Sequence, residues 1–193
     1  MSNYIFDLDF TLYSKYDIDQ TTDTKYYKSI GPNMFLNKLL GQLNGNKYIF
    51  SNGNKSHVDF VLDKMKLKPF FIKIATLDDY PNSRKPHIKA YEYVIGTFNM
   101  DSNNKIFFED TLENLETAKK LGWTTVFINN DSLTESKINT YNYIAYKFSC
   151  VEQALLFFIN TINWYYKTNY INTTTDNNVS KSEFLMILYI WIV

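Results

Sequence analysis

The chain has little of several residue types, and each shortage excludes a class of protein. Cys150 is the only cysteine among the 193 residues. No disulfide can therefore form within the chain, which is typical of proteins in a reducing cytosol. Lysine and arginine number 20 and are balanced by 20 aspartates and glutamates, so the composition has no strong nucleic-acid signature. No signal peptide is visible, and the apolar run at residues 184–193 is about half the length of a membrane-spanning helix, so we expect a cytoplasmic protein without a transmembrane span.

The residues that are abundant predict a folded α/β protein. Hydrophobic residues make up 45% of the chain and aromatic residues 18%, which excludes a disordered chain. Short apolar runs that predict strands alternate with amphipathic stretches that predict helices, an order typical of right-handed βαβ units. We therefore expect a three-layer, Rossmann-like parallel sheet with helices on both faces. After a first strand that ends in Asp7 and Asp9, the predicted strands lie at residues 47–51, 70–76, 105–110, 123–128 and 143–148. The predicted helices lie at 34–43, with Asn33 as a candidate cap, at 54–67, 111–121, 151 to about 165, and from Pro86 through Ile95.

A chain of this length is predicted to form one principal domain. We assign residues 1–166 to this domain, with residues 13–32 as a short flap. Residues 167–193 are assigned to a polar linker followed by an apolar tail. An apolar segment left in water favours association, so we expect residues 184–193 to pack against the domain or to mediate self-association.

Polar side chains stand at the carboxyl ends of several predicted strands, and these ends form the ligand-binding edge of an open parallel sheet. Two acids at the end of a buried strand, Asp7 and Asp9, are unfavourable unless a cation lies near them. Taken singly, Ser51 could be a turn residue, Lys85 a solvated loop residue, and the pair at 109–110 the acidic start of a helix. The side chains expected at this edge are Asp7, Asp9, Ser51, Lys85, Glu109 and Asp110.

In order and spacing, these segments resemble the motifs of the haloacid dehalogenase-like phosphohydrolases. The segments are Phe6-Asp-Leu-Asp-Phe-Thr-Leu-Tyr13, Ser51-Asn-Gly-x-x-x-His57, Lys85-Pro-x-x-x-x-Tyr91 and Phe108-Glu-Asp-x-x-x-Asn114, followed by Ala118 and Gly122-Trp123. His57, Tyr91, Asn114 and Trp123 make the chain most similar to the pyrimidine 5′-nucleotidase-like branch. The resemblance covers roughly residues 4–155.

The resemblance implies a phosphomonoester hydrolase that forms a phospho-aspartate intermediate. Asp7 is then the nucleophile, and Asp9 is the acid that protonates the leaving group and later activates water. Lys85 neutralises the nucleophile and the transferring phosphoryl group. The Ser51 hydroxyl and the backbone around Asn52 bind the phosphate.

The same resemblance implies Mg²⁺ as the cofactor, a hard cation that prefers oxygen ligands. Its ligands would be the Asp7 carboxylate, the Asp9 backbone carbonyl and the Asp110 carboxylate. Glu109 would act from behind these ligands and orient a metal-bound water or Lys85.

Two features depart from the family pattern. Phe10 stands where Asn or Gly is common, which predicts a stiffer or more apolar loop. The intervals between motifs leave little room for a cap, which is expected to be reduced to the flap of residues 13–32. The substrate could accordingly be a small phosphorylated molecule or a macromolecular end. The alternative function is a slow, phosphate-binding or interaction protein that retains the site.

Overall fold

The computed structural model describes residues 2–14, 30–80, 82–100, 104–129 and 141–172, and its side chains as far as residue 161. Only the two ends of the predicted flap fall within these ranges. The apolar tail at residues 184–193 lies outside the described residues.

The described residues form one sheet of six parallel strands in the order β3-β2-β1-β4-β5-β6. The three central strands are short apolar runs, and Tyr4, Ile5 and Phe6 of β1 have no exposed surface. Burial on both faces explains why these strands are continuously apolar rather than alternating. The predicted α/β, Rossmann-like fold is therefore confirmed. The strands are β1 (Asn3–Phe6), β2 (Asn46–Phe50), β3 (Lys73–Ala75), β4 (Lys105–Glu109), β5 (Thr124–Ile128) and β6 (Tyr146–Phe148).

Helices cover both faces of the sheet. From β1 the chain steps through β2 to β3 on one side and then returns to β4 and β5 on the other. Right-handed crossovers in opposite directions place the connecting helices on opposite faces. On one face, Tyr91 and Leu115 pack with Ile5, Phe50 and Phe107 in a single buried cluster. The helices are α1 (Met34–Gln42), α2 (Lys55–Lys64), α3 (Ile88–Phe98), α4 (Leu112–Lys120) and α5 (Val151–Asn172).

Side-chain caps fix the starts of the first two helices. The Asn33 side chain accepts a hydrogen bond from the N–H of Leu36 at 3.0 Å, as the predicted cap requires. The Asn54 side chain accepts one from the N–H of His57 at 2.9 Å. The second cap matters for the site described below because it fixes the backbone of His57.

Several predicted boundaries were wrong. The last strand begins at Tyr146 rather than at residue 143, and α2 ends at Lys64 rather than at residue 67. The strand expected from Phe70 begins only at Lys73, because a 3-10 turn at Lys68–Phe70 precedes it. Pro86 does not lie in the first turn of α3, which is capped by His87, and the N–H of His87 bonds back to the carbonyl of Arg84 at 2.9 Å. Finally, α5 continues to Asn172 rather than ending near residue 165. Adding a residue to an existing helix needs no new nucleation, which explains this extension through a polar stretch.

The chain divides into two units, Met1–Phe157 and Phe158–Val193. The first unit contains the whole sheet. Within the described part of the chain, no helix combines the length and apolarity needed to span a membrane.

Candidate active site

The residues singled out by their position at strand ends meet where the direction of the sheet reverses. β1 is flanked by β2 on one side and by β4 on the other, and the chain leaves β1 in one direction and later crosses to the opposite side. Such a switch point opens a crevice outside the carboxyl ends of the strands. Asp7 directly follows β1, Ser51 follows β2, and Glu109 is the last residue of β4.

Lys85 is the centre of this cluster, although it comes from a loop before α3. Its Nζ lies 2.6 Å from Asp7 Oδ1 and 2.8 Å from Glu109 Oε2, and it donates to the Phe50 carbonyl at 2.8 Å. An ammonium group has three donors, so each has a partner. The side chain is only 1% exposed. The Nζ also lies 5.0 Å from the ring centre of Phe50 and 5.3 Å from that of Phe107, within the range of cation–π attraction.

The charges of the cluster do not balance. Burial, together with the nearby Glu109 carboxylate, raises the pKa of Asp7 to about 8, although Lys85 opposes the shift. Burial and Glu109 likewise raise the pKa of Asp110 to about 9. Burial disfavours the charge of Lys85, but the two carboxylates outweigh it and raise the pKa of the ammonium group. Burial also acts against ionised Glu109, yet Lys85 and backbone N–H groups hold its pKa below the ordinary value. The cluster therefore contains three carboxyl groups and one ammonium group.

Three of the carboxylates are arranged as a potential metal site. Oxygen atoms of Asp7, Glu109 and Asp110 all lie within 4.8 Å of one another. Both Glu109 oxygens are already occupied: Oε2 by Lys85 and Asn114, and Oε1 by the N–H groups of Asp110 and Thr111 at 3.0 Å each. Asp7 and Asp110 are therefore the carboxylates available to a cation, with Glu109 behind them.

Glu109 is held from the helix side by Asn114. The Asn114 Nδ2 donates to Glu109 Oε2 at 2.9 Å, and Tyr91 donates its hydroxyl to the Asn114 carbonyl at 2.7 Å. Tyr91 and Trp123 are buried in the aromatic cluster beneath the site, with ring centres 5.5 Å apart. Among Asn114, Tyr91 and Trp123, it is Asn114 whose side chain forms a hydrogen bond to the site, with Glu109.

The loop after β2 combines a phosphate-binding candidate with a support for Lys85. Ser51 is fully buried, and its Oγ accepts the N–H of Gly53 at 2.9 Å, which leaves the hydroxyl hydrogen to donate elsewhere. Asn52 pairs with the backbone of Lys85 in both directions: its Nδ2 donates to the carbonyl at 3.0 Å, and its Oδ1 accepts the N–H at 2.9 Å. This side-chain role was not predicted, because the partners are 33 positions apart in the chain.

Asp9 stands beside the cluster in a more exposed position. Its side chain is 29% exposed, and its Oδ1 lies 2.6 Å from His57 Nε2 and accepts the hydroxyl hydrogen of Tyr13. The next residue, Phe10, has a φ of 63°. This left-handed conformation is readily adopted by Gly or Asn, which explains why those residues are common at this position, and it is unfavourable for a bulky residue such as Phe10.

A cavity of about 430 Å³ lies beside Tyr13. Thr11 contributes to its wall, and its buried Oγ1 has no hydrogen-bond partner among the residues that the structure describes. Glu152 and Asn33 form a polar part of the wall and bond to each other at 2.8 Å. Tyr13 therefore lines this cavity and also donates its hydroxyl hydrogen to the carboxylate of Asp9.

Comparisons with known proteins agree with this fold. Residues 35–128 match the family model described as haloacid dehalogenase-like hydrolase. The structure is similar to that of a haloacid dehalogenase-like family hydrolase from Streptococcus pneumoniae, with a TM-score of 0.62 and 15% identity over 82% of this chain and 98% of that one. A haloacid dehalogenase-superfamily hydrolase, subfamily IA, from Geobacter sulfurreducens gives a TM-score of 0.57 and 14% identity over 80% of this chain and 98% of that one.

This chain spans only 53–60% of the length of two other similar structures. The L-2-haloacid dehalogenase from Xanthobacter autotrophicus with chloropropionic acid covalently bound gives a TM-score of 0.53 and 14% identity, over 65% of this chain and 60% of that one. Another L-2-haloacid dehalogenase gives a TM-score of 0.54 and 19% identity, over 63% of this chain and 53% of that one. No curated protein sequence gives a significant match. Residues 35–128 are therefore similar in sequence to the haloacid dehalogenase-like hydrolases, and the structural similarities show that the fold is the same.

Proposed function

We propose that this protein is a Mg²⁺-dependent phosphomonoester hydrolase that acts through a phospho-aspartate at Asp7. The observation that carries the proposal is the contact of 2.6 Å between the Lys85 ammonium group and Asp7 Oδ1, at the switch point and beside a second available carboxylate. A phosphate monoester and a carboxylate nucleophile repel each other. A buried ammonium group against the nucleophile reduces that repulsion in a setting where water does not screen it.

The residues suit the first chemical step. An oxygen of Asp7 attacks phosphorus as the bond to the leaving oxygen breaks, and Asp9 supplies a proton to that oxygen. Because Ser51 Oγ accepts from Gly53, its own hydrogen can donate to a phosphoryl oxygen. The N–H group of Asn52 extends this phosphate-binding loop, while the Asn52 side chain holds Lys85. In the second step Asp9 takes a proton from the attacking water.

The oxygen-rich corner formed by Asp7 and Asp110 fits Mg²⁺, with the Asp9 backbone carbonyl as a third ligand. When bound, the ion would supply positive charge that neutralises the phosphoryl oxygens and the surplus carboxylates. Glu109 supports the arrangement through Lys85, since both of its oxygens are engaged by neighbouring donors.

Asp9 favours phosphate-ester cleavage over the dehalogenation that some structural neighbours perform. A halide leaves without a proton, whereas an ester oxygen needs one. The presence of all the expected side chains also disfavours a slow phosphate-binding protein. Within this function we propose a nucleotidase-like enzyme of the cytosol, with a flap at residues 13–32 in place of a cap and a tail at 184–193 that mediates association. The substrate is a small phosphorylated molecule or a phosphorylated macromolecular end.

The test is phosphate release by the full chain from a panel of phosphomonoesters with Mg²⁺, with chelator as the first control. Asp7→Asn should lower turnover by about 10³-fold or more. Asp63→Asn is the matched control, since this side chain is 65% exposed on α2 and lies outside the site. Release of chloride from a 2-chloroacid, or phosphatase activity that survives Asp7→Asn, would contradict the proposal.

A further inference from the structure

The two oxygens of the Asp9 carboxylate have different surroundings. Oδ1 lies 2.6 Å from His57 Nε2 and accepts the hydroxyl hydrogen of Tyr13. Within the described part of the chain, Oδ2 has no such partner. We assign a hydrogen to His57 Nε2 because a carboxylate oxygen offers only lone pairs. An oxygen that accepts from two donors has little capacity to carry a proton itself, so an acidic proton on Asp9 belongs on Oδ2.

The position of His57 is set by a hydrogen bond to its backbone and by the close approach of its ring to Gly53. The Asn54 side chain accepts the N–H of His57 at 2.9 Å, which places the residue in the first turn of α2. A Cβ on Gly53 would lie 2.8 Å from His57 Cδ2, closer than carbon atoms approach, so the ring occupies space that only glycine leaves open. The side chain is 18% exposed. The sequence from Gly53 to His57 therefore builds a firm support for one oxygen of Asp9.

We propose that His57 and Tyr13 are positioning residues that hold Asp9 Oδ1 and so aim Oδ2 at the leaving oxygen of the substrate. The inference rests on the proposed phosphomonoesterase function and deepens it. As the bond from an Asp7 oxygen to phosphorus forms, the bond to the leaving oxygen breaks. That oxygen keeps the electron pair and takes the proton from Asp9 Oδ2. In hydrolysis of the intermediate, Oδ2 takes a proton from water as the water oxygen bonds to phosphorus and the bond between phosphorus and the Asp7 oxygen breaks. The hydrogens of His57 and Tyr13 remain in place throughout.

This role predicts a dependence on the leaving group. An alkyl phosphate must expel a strongly basic alkoxide and depends on proton transfer, whereas a 4-nitrophenyl phosphate expels a weakly basic phenolate and depends on it little. Loss of the support should therefore affect the alkyl ester more. A misplacement of a reacting group by about 1 Å can reduce the rate by about 10²-fold.

The experiment measures kcat/KM for an alkyl phosphate and for a 4-nitrophenyl phosphate. The parameter kcat/KM reports the steps up to cleavage of the ester bond. His57→Phe keeps a ring but no donor and should lower kcat/KM for the alkyl ester by about 10²-fold, and by much less for the nitrophenyl ester. His57→Gln retains an N–H donor and should recover part of the loss. His87, the other histidine, caps α3, and His87→Phe should leave the ratio between the two esters unchanged.

A second variant keeps the test decisive if His57→Phe does not fold. Tyr13→Phe removes one hydroxyl oxygen and should show the same selective loss, smaller in size. Equal losses for both esters in the folded variants would overturn the positioning role and leave the proposed function standing. A native chain that releases phosphate from neither ester would instead refute the proposed function, and this inference with it.

Discussion

Replacing Lys85 by Met tests whether the buried lysine holds the site together. Met has a similar length and no charge, so the change removes three contacts of Nζ: with Asp7, with Glu109 and with the Phe50 carbonyl. Burial and Glu109 raise the pKa of Asp7 to about 8 and so favour its neutral, protonated form in the metal-free protein. The charge that loses its partner is therefore that of Glu109.

The magnitude follows from this single unpaired charge. Removing one partner of a buried ion pair destabilises a protein by about 3–5 kcal/mol. Glu109 can escape part of this by binding a proton, which costs about 1.4 kcal/mol for each pH unit above its ordinary pKa. In the native protein Lys85 lowers the pKa of Glu109, so the pair stabilises the fold above the unfolded pKa. In the variant the pKa of Glu109 is raised instead, and the folded state binds more protons than the unfolded one. The variant should therefore regain stability as the pH falls from 7 towards 5.

Urea unfolding of the metal-free protein at pH 7 and pH 5 measures both effects. Lys85→Met should lose about 3–5 kcal/mol at pH 7 and clearly less at pH 5. Lys120→Met is the matched control, because Lys120 pairs with Glu116 at 2.8 Å on the surface of α4 with its side chain 68% exposed. Its unfolding midpoint should not change measurably. A loss for Lys85→Met that is small, or that does not diminish at pH 5, would refute the reasoning.

Three further substitutions separate metal binding, support and backbone strain. Asp110→Asn should raise the Mg²⁺ concentration needed for half-maximal activity while activity at saturating Mg²⁺ falls less, and a metal requirement that does not change would contradict this. Asn52→Ala removes two hydrogen bonds to the backbone of Lys85, so it should destabilise by about 1–3 kcal/mol and lower kcat. Normal kcat in that variant would show that Lys85 needs no such support. Phe10→Asn should relieve about 1–2 kcal/mol of left-handed strain and lose about 0.5–1.5 kcal/mol of ring contact with Tyr13, so urea unfolding should show a net change below about 1 kcal/mol.

The order of elements was predictable because local patterns determine it. The runs at residues 48–50 and 106–108 are wholly apolar and are followed by polar residues, so both their type and their ends can be deduced. Asn33 was predicted as a cap from its place before an amphipathic stretch, and the structure confirms it. The alternation of such runs with helices then implies a parallel sheet.

The contacts within the site could be predicted only in part. A residue at the end of a strand could be assigned to the binding edge, but the order of strands along the sheet follows from crossovers that no local pattern encodes. Lys85 and Asp7 lie 78 positions apart, and His57 and Asp9 lie 48 apart. Spacing alone gave no reason to pair His57 with a carboxylate. Its distance of four positions from Gly53, in a turn where a Cβ would collide with the ring, is a signal that becomes meaningful only once the fold is known.

The site also shows why the aromatic cluster below it matters for chemistry as well as for packing. Phe50 and Phe107 lie under the Lys85 ammonium group, and Tyr91 meets the Phe50 ring edge-on with centres 5.1 Å apart. These rings exclude water, which makes every unpaired charge above them costly and every correct charge pair strong. The burial that raises the pKa of Asp7 is thus the same condition that makes its contact with Lys85 effective. A phosphoryl group and a cation would enter a site whose charges are already positioned and cannot be relieved by solvent. For that reason the buried lysine, rather than any single carboxylate, is the residue on which both the stability and the proposed chemistry of the site depend.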